Sequence, residues 1–205
     1  MTLARSLSAG LLSLGLLAQP AGAAGTDDAV ALVRTTLDAV LAVLRDKAMP
    51  AAQRRAKVET IAYANFDFDT ISKLVLARNW PKLSKQQQSD FVVEFKRHLS
   101  ATYWKTLEDY RDEKVLVEGA RAEKNGDVTV HSTLTSERAD AVRIDYRLRS
   151  AGGAWKVIDV IIESVSLVQN FRSQTQELIA SAGIDGLIDA LRKKNVEREK
   201  SEQKD

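Results

Sequence analysis

The chain of 205 residues contains no cysteine, which excludes a disulfide framework, a thiol nucleophile, a thiolate metal site and lipoprotein attachment. Histidine is nearly as scarce. His98 and His131 are the only two, and neither has a partner histidine at ligand spacing, so no metal site is expected. Charge of one sign is also lacking: 30 basic residues stand against 28 acidic ones, interspersed rather than clustered. A nucleic-acid partner is therefore not expected. There is no glycine-rich phosphate loop, nucleophile elbow or metalloprotease helix motif, and no cofactor is implied.

Long apolar runs are confined to the beginning. Arg5 precedes a run from Leu7 to Leu17, and the small residues Ala21-Gly22-Ala23 follow. That order is the n-region, h-region and cleavage site of a secretory signal peptide over residues 1–24. Ser8, Gly10, Ser13 and Gly15 interrupt the run, which is too short to cross about 30 Å of hydrocarbon. Loss of Arg5 with such a leader leaves 29 basic residues against 28 acidic ones. The remaining length suits one domain with a substantial core, residues 25–194, followed by a charged and disordered tail, 195–205.

Within the domain the patterning changes character once. Thr26 with Asp27 and Asp28 reads as a helix start, and Val30, Val33, Leu37, Leu41 and Leu44 recur at helical spacing up to Pro50. A short helix follows from about Ala51 to Tyr63. Phe66-Asp67-Phe68-Asp69-Thr70 leads into a third, with Ile71, Leu74 and Val75 apolar, closed by Pro81. Ser84 and Gln87 have the spacing of a capping box. The helix they open carries Phe91, Phe95, Leu99, Tyr103 and Leu107 at intervals of four. An interval of four overshoots a helical turn by about 40°, so this ridge slants and the helix wraps across something wide.

From Lys114 the period becomes two. Val115 and Val117, Val128 and Val130, Val142 to Leu148, and Val157 to Ile162 predict four strands. Asn125-Gly126, the polar stretch from Ser136 to Asp140, and Gly152-Gly153 supply the turns of an antiparallel meander. Arg143, Asp145, Arg147 and Arg149 alternate with Val142, Ile144, Tyr146 and Leu148, so one face is wet and one covered. The fourth strand is apolar on both parities, which leaves its buried face open. Leu167 onward returns to helix, with Gly183 as its C′ residue and a last short helix from Ile184 to Leu191. The class is α+β: a four-stranded antiparallel sheet packed against several helices.

Catalysis has few candidates. Asp145 with the phenol of Tyr146, or the carboxylates Asp159 and Glu163, are the groups that a cone-shaped α+β enzyme would use in general acid–base work. Alternation sets Asp145 on the solvated face, and an ion pair of Asp159 or Glu163 with Arg172 is the simpler reading. The large apolar residues read by themselves as a core that packs. A protein-binding module with an apolar groove is a further alternative.

Several stretches, taken together, resemble the MlaC or toluene-tolerance family. They are Phe66-Asp67-Phe68 through Leu76 and Trp80; Gln88, Phe91, Phe95, Leu99 and Tyr103; Trp155-Lys156-Val157 with Asp159-Val160; Val165-Ser166-Leu167-Val168 with Phe171-Arg172-Ser173-Gln174; and Gly183-Ile184-Asp185-Gly186-Leu187-Ile188. The resemblance implies a curved sheet of NTF2-like form, acyl chains in a cavity between sheet and helices, and no enzymatic activity. It implies a periplasmic phospholipid carrier, a monomer that docks transiently with an inner-membrane lipid ABC transporter complex and an outer-membrane lipoprotein complex to maintain outer-membrane lipid asymmetry. Other branches carry other lipids, including hopanoid-type polycyclics. As large apolar side chains that offer tail contact with no polar group left unpaired, Leu74, Trp80, Phe91, Phe95, Leu99, Tyr103, Val142, Ile144, Tyr146, Val160 and Ile162 are the expected lipid-binding lining of such a cavity, with the hydroxyls of Tyr103 and Tyr146 toward the mouth. Rim cations such as Arg143 and Arg147 are candidates for partner contact. The chain departs from the family pattern at Lys73, often Arg; Ala77, often Gly; Ser164, usually Gly; and Thr175, commonly aromatic.

Overall fold

The computed structural model describes residues 21–136 and 140–202; most of the signal-peptide stretch and the middle of the Ser136–Asp140 turn lie outside the described residues. Five helices surround one sheet: α1 (Ala21–Arg45), α2 (Ala51–Asn65), α3 (Phe68–Leu76), α4 (Lys85–Glu108) and α5 (Leu167–Glu202). The strands are β1 (Lys114–Ala122), β2 (Val128–Thr135), β3 (Val142–Ala151), β4 (Ala154–Ile162) and β5 (Val165–Ser166), an antiparallel meander in the order β1-β2-β3-β4-β5. Among the described residues no helix is long and apolar enough to cross a membrane.

Local signals fix most boundaries. Ser84 and Gln87 form the capping box at the start of α4, the Gln87 amide donating to Ser84 Oγ (3.1 Å) and the Ser84 amide to the Gln87 side chain (2.9 Å). Asp67 caps α3 by accepting from the Thr70 amide at 2.8 Å. Pro81 does not itself end α3. The helix stops at Leu76, Ala77 turns the chain at φ 48°, and Pro81 sits in a short 3-10 segment, Ala77–Lys82. Gly183, at φ 72°, separates two helical stretches within α5.

A β-bulge resolves the ambiguity of β4. Arg147 pairs with Asp159 and Leu148 with Val157, so Ile158 has no cross-strand partner. Residues of opposite parity, Val157 before the bulge and Val160 and Ile162 after it, thereby share the face that carries Tyr146 and Ile144. This strand is apolar on both parities because one extra residue flips the register halfway along it.

The fifth strand was not expected. Glu163 (φ 47°) and Ser164 (φ 67°) form a two-residue turn that pairs Ile162 with Val165, the positive-φ pattern of a primed hairpin turn. Neither residue is glycine, so the turn carries no sequence signal. The disordered tail is a second correction at its beginning. α5 continues past Lys193, and the Asn195 side chain, buried, donates to the Glu94 carbonyl (2.9 Å) and carboxylate (2.8 Å) on α4. Arg198 donates to Thr102 Oγ1 at 2.6 Å. Polar anchors, rather than apolar ones, hold this end.

Packing divides into three cores. α1 lays Ala29 and Val33 on Val128, Val130, Leu148 and Val157 of the sheet. Ile71 and Val75 of α3, Phe91 and Phe95 of α4, and Phe171 and Leu187 of α5 make a helical core. Leu41 and Leu44, Val58 and Trp104 with Tyr110 close the end where α1, α2 and α4 meet. The far half of the sheet's apolar face, around Ile144 and Ile162, belongs to none of the three.

Two of the family departures fall on positive-φ backbone. An alanine at φ 48°, ψ −120° is strained by roughly 1–3 kcal/mol, and Ser164 carries a smaller penalty of the same kind. Ala77→Gly is expected to raise stability by about 1 kcal/mol despite the entropy of glycine, and Ser164→Gly to raise it by less. Urea midpoints of the two variants against the parent chain measure both.

Candidate functional site

Between the three cores lies a cavity of about 290 Å³, near the lower end of the usual ligand-pocket range of about 300–1,000 Å³. Its floor is the uncovered part of the sheet: Ile144, Tyr146, Val160 and Ile162. The α4 ridge forms one wall with Phe95, Leu99, Tyr103 and Leu107, joined by Trp104. α2 and the corner after it supply Val58, Ala62, Tyr63 and Phe66; α3 adds Phe68, Ile71 and Val75, and the start of α5 adds Leu167, Val168 and Phe171. The ridge slants because it follows this void, which is what its interval of four required.

Of the residues singled out from sequence, seven meet at the cavity: Phe95, Leu99, Tyr103, Ile144, Tyr146, Val160 and Ile162. Four do not. Leu74 and Trp80 pack at the edge of the helical core, and Phe91, fully buried, stacks on Phe95 at 5.3 Å within that core. Val142 pairs with Leu134 at the start of β3, outside the lining. The contribution of α2 went unread because its apolar residues are few among arginines and alanines. Phe66 and Phe68, whose rings stack at 5.9 Å, were visible as a motif but not as a wall.

The fold places these walls through a few polar ties. The Asp67 amide donates to the Val157 carbonyl at 2.9 Å, and Lys156 Nζ donates to the Ala64 carbonyl, holding the α2–α3 corner on β4. Asp159, 5% exposed, accepts from Ser166 Oγ (2.6 Å) and the Val168 amide (3.1 Å), which sets the start of α5 beside the bulge. The expected ion pair of Arg172 with Asp159 or Glu163 is replaced by another contact. Arg172 Nε donates to the Leu74 carbonyl (2.8 Å) and Gln176 to the Leu76 carbonyl (3.4 Å), satisfying the last turn of α3.

Asp159 lies in the cavity wall with both carboxylate oxygens committed to the α5 cap. Burial pushes the Tyr146 hydroxyl up to about 12. Burial also raises the Tyr103 hydroxyl. On the opposite, wet face of the sheet, His131 Nδ1 and Arg143 both meet Asp145 Oδ1, at 2.9 and 3.1 Å. Among the described residues no three His, Cys, Asp or Glu side chains gather as a metal site.

Residues 34–193 match the profile of a family described as MlaC protein. The chain belongs to the MlaC family. It is similar to the toluene tolerance protein ttg2D of Pseudomonas putida, 28% identical over 120 residues, which span 58% of this chain and 56% of that protein. It is also similar to a solved structure of a phospholipid-binding protein from Ralstonia solanacearum, in complex with a phospholipid. That likeness has a TM-score of 0.76 and 27% identity, and covers 83% of this chain and 98% of the other. The family fold, an α+β arrangement with an antiparallel sheet that does not close, is the one described above.

Outside the cavity, His98 is buried between α4 and α5, its ring edge-on to Phe171 at 5.9 Å, with no hydrogen-bond partner for Nδ1. Burial first, then Arg198 and Lys194, lowers its pKa to about 4. Protonation therefore favours the unfolded chain, whose histidine titrates at about 6.5. Stability is expected to be complete above that pH and to fall by on the order of 3 kcal/mol as pH drops toward 4. His98→Gln should flatten this part of the profile, read as urea midpoints across the same range.

Proposed function

We propose that the protein is a periplasmic lipid carrier that holds phospholipid acyl chains in the cavity and moves them between membrane complexes without chemical change. The observation that carries this reading is the cavity itself: it is lined mainly by apolar side chains and left unfilled by three cores that pack around it. Membership of the MlaC family and the likeness to a protein solved with a phospholipid bound support the same reading. The seven residues brought together from sequence, with Phe66, Phe68 and Leu107, are the tail contacts.

Physics makes such a protein necessary. Each methylene exposed to water costs about 0.8 kcal/mol, so a chain of roughly 16 carbons costs on the order of 13 kcal/mol. A two-tailed lipid does not cross an aqueous space alone at useful rates, and enclosure of its tails removes most of that barrier. The partners in this reading are an outer-membrane lipoprotein complex and an inner-membrane ABC transporter complex, met in turn by a monomer exported with its leader removed.

A carboxylate placed in the cavity would lose its hydration with no partner to replace it. Leu99→Glu and Ile144→Asp are each expected to abolish lipid co-purification, by at least about tenfold, while export continues. Lipid extraction of periplasmic protein followed by mass spectrometry measures this, and unchanged lipid content in both variants would overturn the assignment.

A further inference from the structure

The apolar cavity adjoins a second hollow of about 280 Å³ between α2, α4 and α5, whose lining includes Arg97, Asn195 and Glu199. Arg55, Glu59 and Tyr63 belong to both linings. The first hollow is lined mainly by apolar side chains and the second mainly by charged and polar ones, a pairing that suits an amphiphile rather than a hydrocarbon.

The charges here are unequal in a specific way. Arg55 is paired with Glu59 at 2.9 Å, and Arg97 with Glu94 at 3.2 Å and Glu199 at 2.6 Å. Lys96, half-buried in the lining between them, has no carboxylate at ion-pair distance among the described residues. Its ammonium instead faces the Tyr63 ring, 4.0 Å from the centroid, across the gap between α4 and α2. Ser100 Oγ donates to Glu59 beside it, so the two helices wall the gap on both sides. The half-buried ammonium meets aromatic faces, with the Phe68 ring also 5.9 Å away, and keeps its charge available to an anion.

We infer that Lys96 and the polar hollow beside it form a subsite for the phosphodiester of a lipid headgroup, whose tails occupy the apolar cavity. One negative charge then meets the one cation of this rim that lacks a carboxylate, and the charge-assisted contact fixes which end of the lipid faces out. This deepens the carrier reading and rests on it.

The test separates the two. The full chain, stripped of lipid, is offered phosphatidylethanolamine, phosphatidylglycerol or diacylglycerol with identical acyl chains in non-ionic detergent, and retained lipid is quantified by mass spectrometry. The parent chain is expected to retain either phospholipid in preference to diacylglycerol by about tenfold, the worth of one charge-assisted hydrogen bond. Lys96→Gln brings that ratio close to one, and Lys96→Arg keeps it. Lys96→Met, which preserves the stem without the charge, stands in if the glutamine variant does not fold. Glycerophosphate without tails, even in large excess, leaves phospholipid retention unchanged, which marks the ligand as lipid and not free phosphate. Equal retention of diacylglycerol and phospholipid by the parent chain, or an undiminished ratio in the uncharged variants, overturns the subsite while leaving the carrier intact. Failure of every lipid to load overturns the carrier reading, and the subsite with it.

Discussion

Asp159 is the hinge on which the architecture turns. It sits at the β4 bulge with its carboxylate buried, and it binds the first turn of α5 through the Ser166 hydroxyl and the Val168 amide. A buried carboxylate needs such donors, and a helix start needs such an acceptor, so each requires the other. Everything downstream follows from that junction. α5 leaves the sheet at a set angle, Arg172 and Gln176 reach the carbonyls at the end of α3, and Phe171 packs edge-on against Phe95 at 5.2 Å. The bulge at the same place turns Val160 and Ile162 to the face already occupied by Val157. A single local irregularity therefore aims the last strand and anchors the longest helix.

The void is a product of this geometry and not a packing fault. Interiors ordinarily fill to the density of organic crystals, and here the fill is achieved three times over, in separate clusters, with a gap where α4 crosses the remaining sheet. Helix α4 touches this gap with every fourth residue, while Phe91, one turn earlier, is already inside a solid core. Phe95 is thus both wall and core.

Much of this was legible in the residues, and the failures have physical causes. The capping box of α4, the alternation of β3 and the break at Gly183 depend on local chemistry, and local chemistry is written in order along the chain. The slanted ridge was readable because a repeat of four differs from the helical period. What escaped depends on irregular backbone or distant partners. The fifth strand follows a turn of Glu163 and Ser164, where no glycine announces positive φ. The face of β4 is hidden by an extra residue that no composition reveals. The helical continuation past Lys193 is held by Asn195 meeting Glu94, a contact across 101 positions of sequence, and hydropathy cannot see a polar anchor. Leu74 and Trp80 are large and apolar, which suits a cavity wall as well as a core, and they pack on the helical core. On α3 the cavity takes Ile71 and Val75 instead.

An interior kept partly vacant also ties the lifetime of the molecule to its occupancy. Anything bound by the native chain and not by the unfolded one lowers the population that opens, in proportion to how far its concentration exceeds its dissociation constant. In the carrier reading, an empty molecule therefore opens more often than a filled one and is the more exposed to proteases.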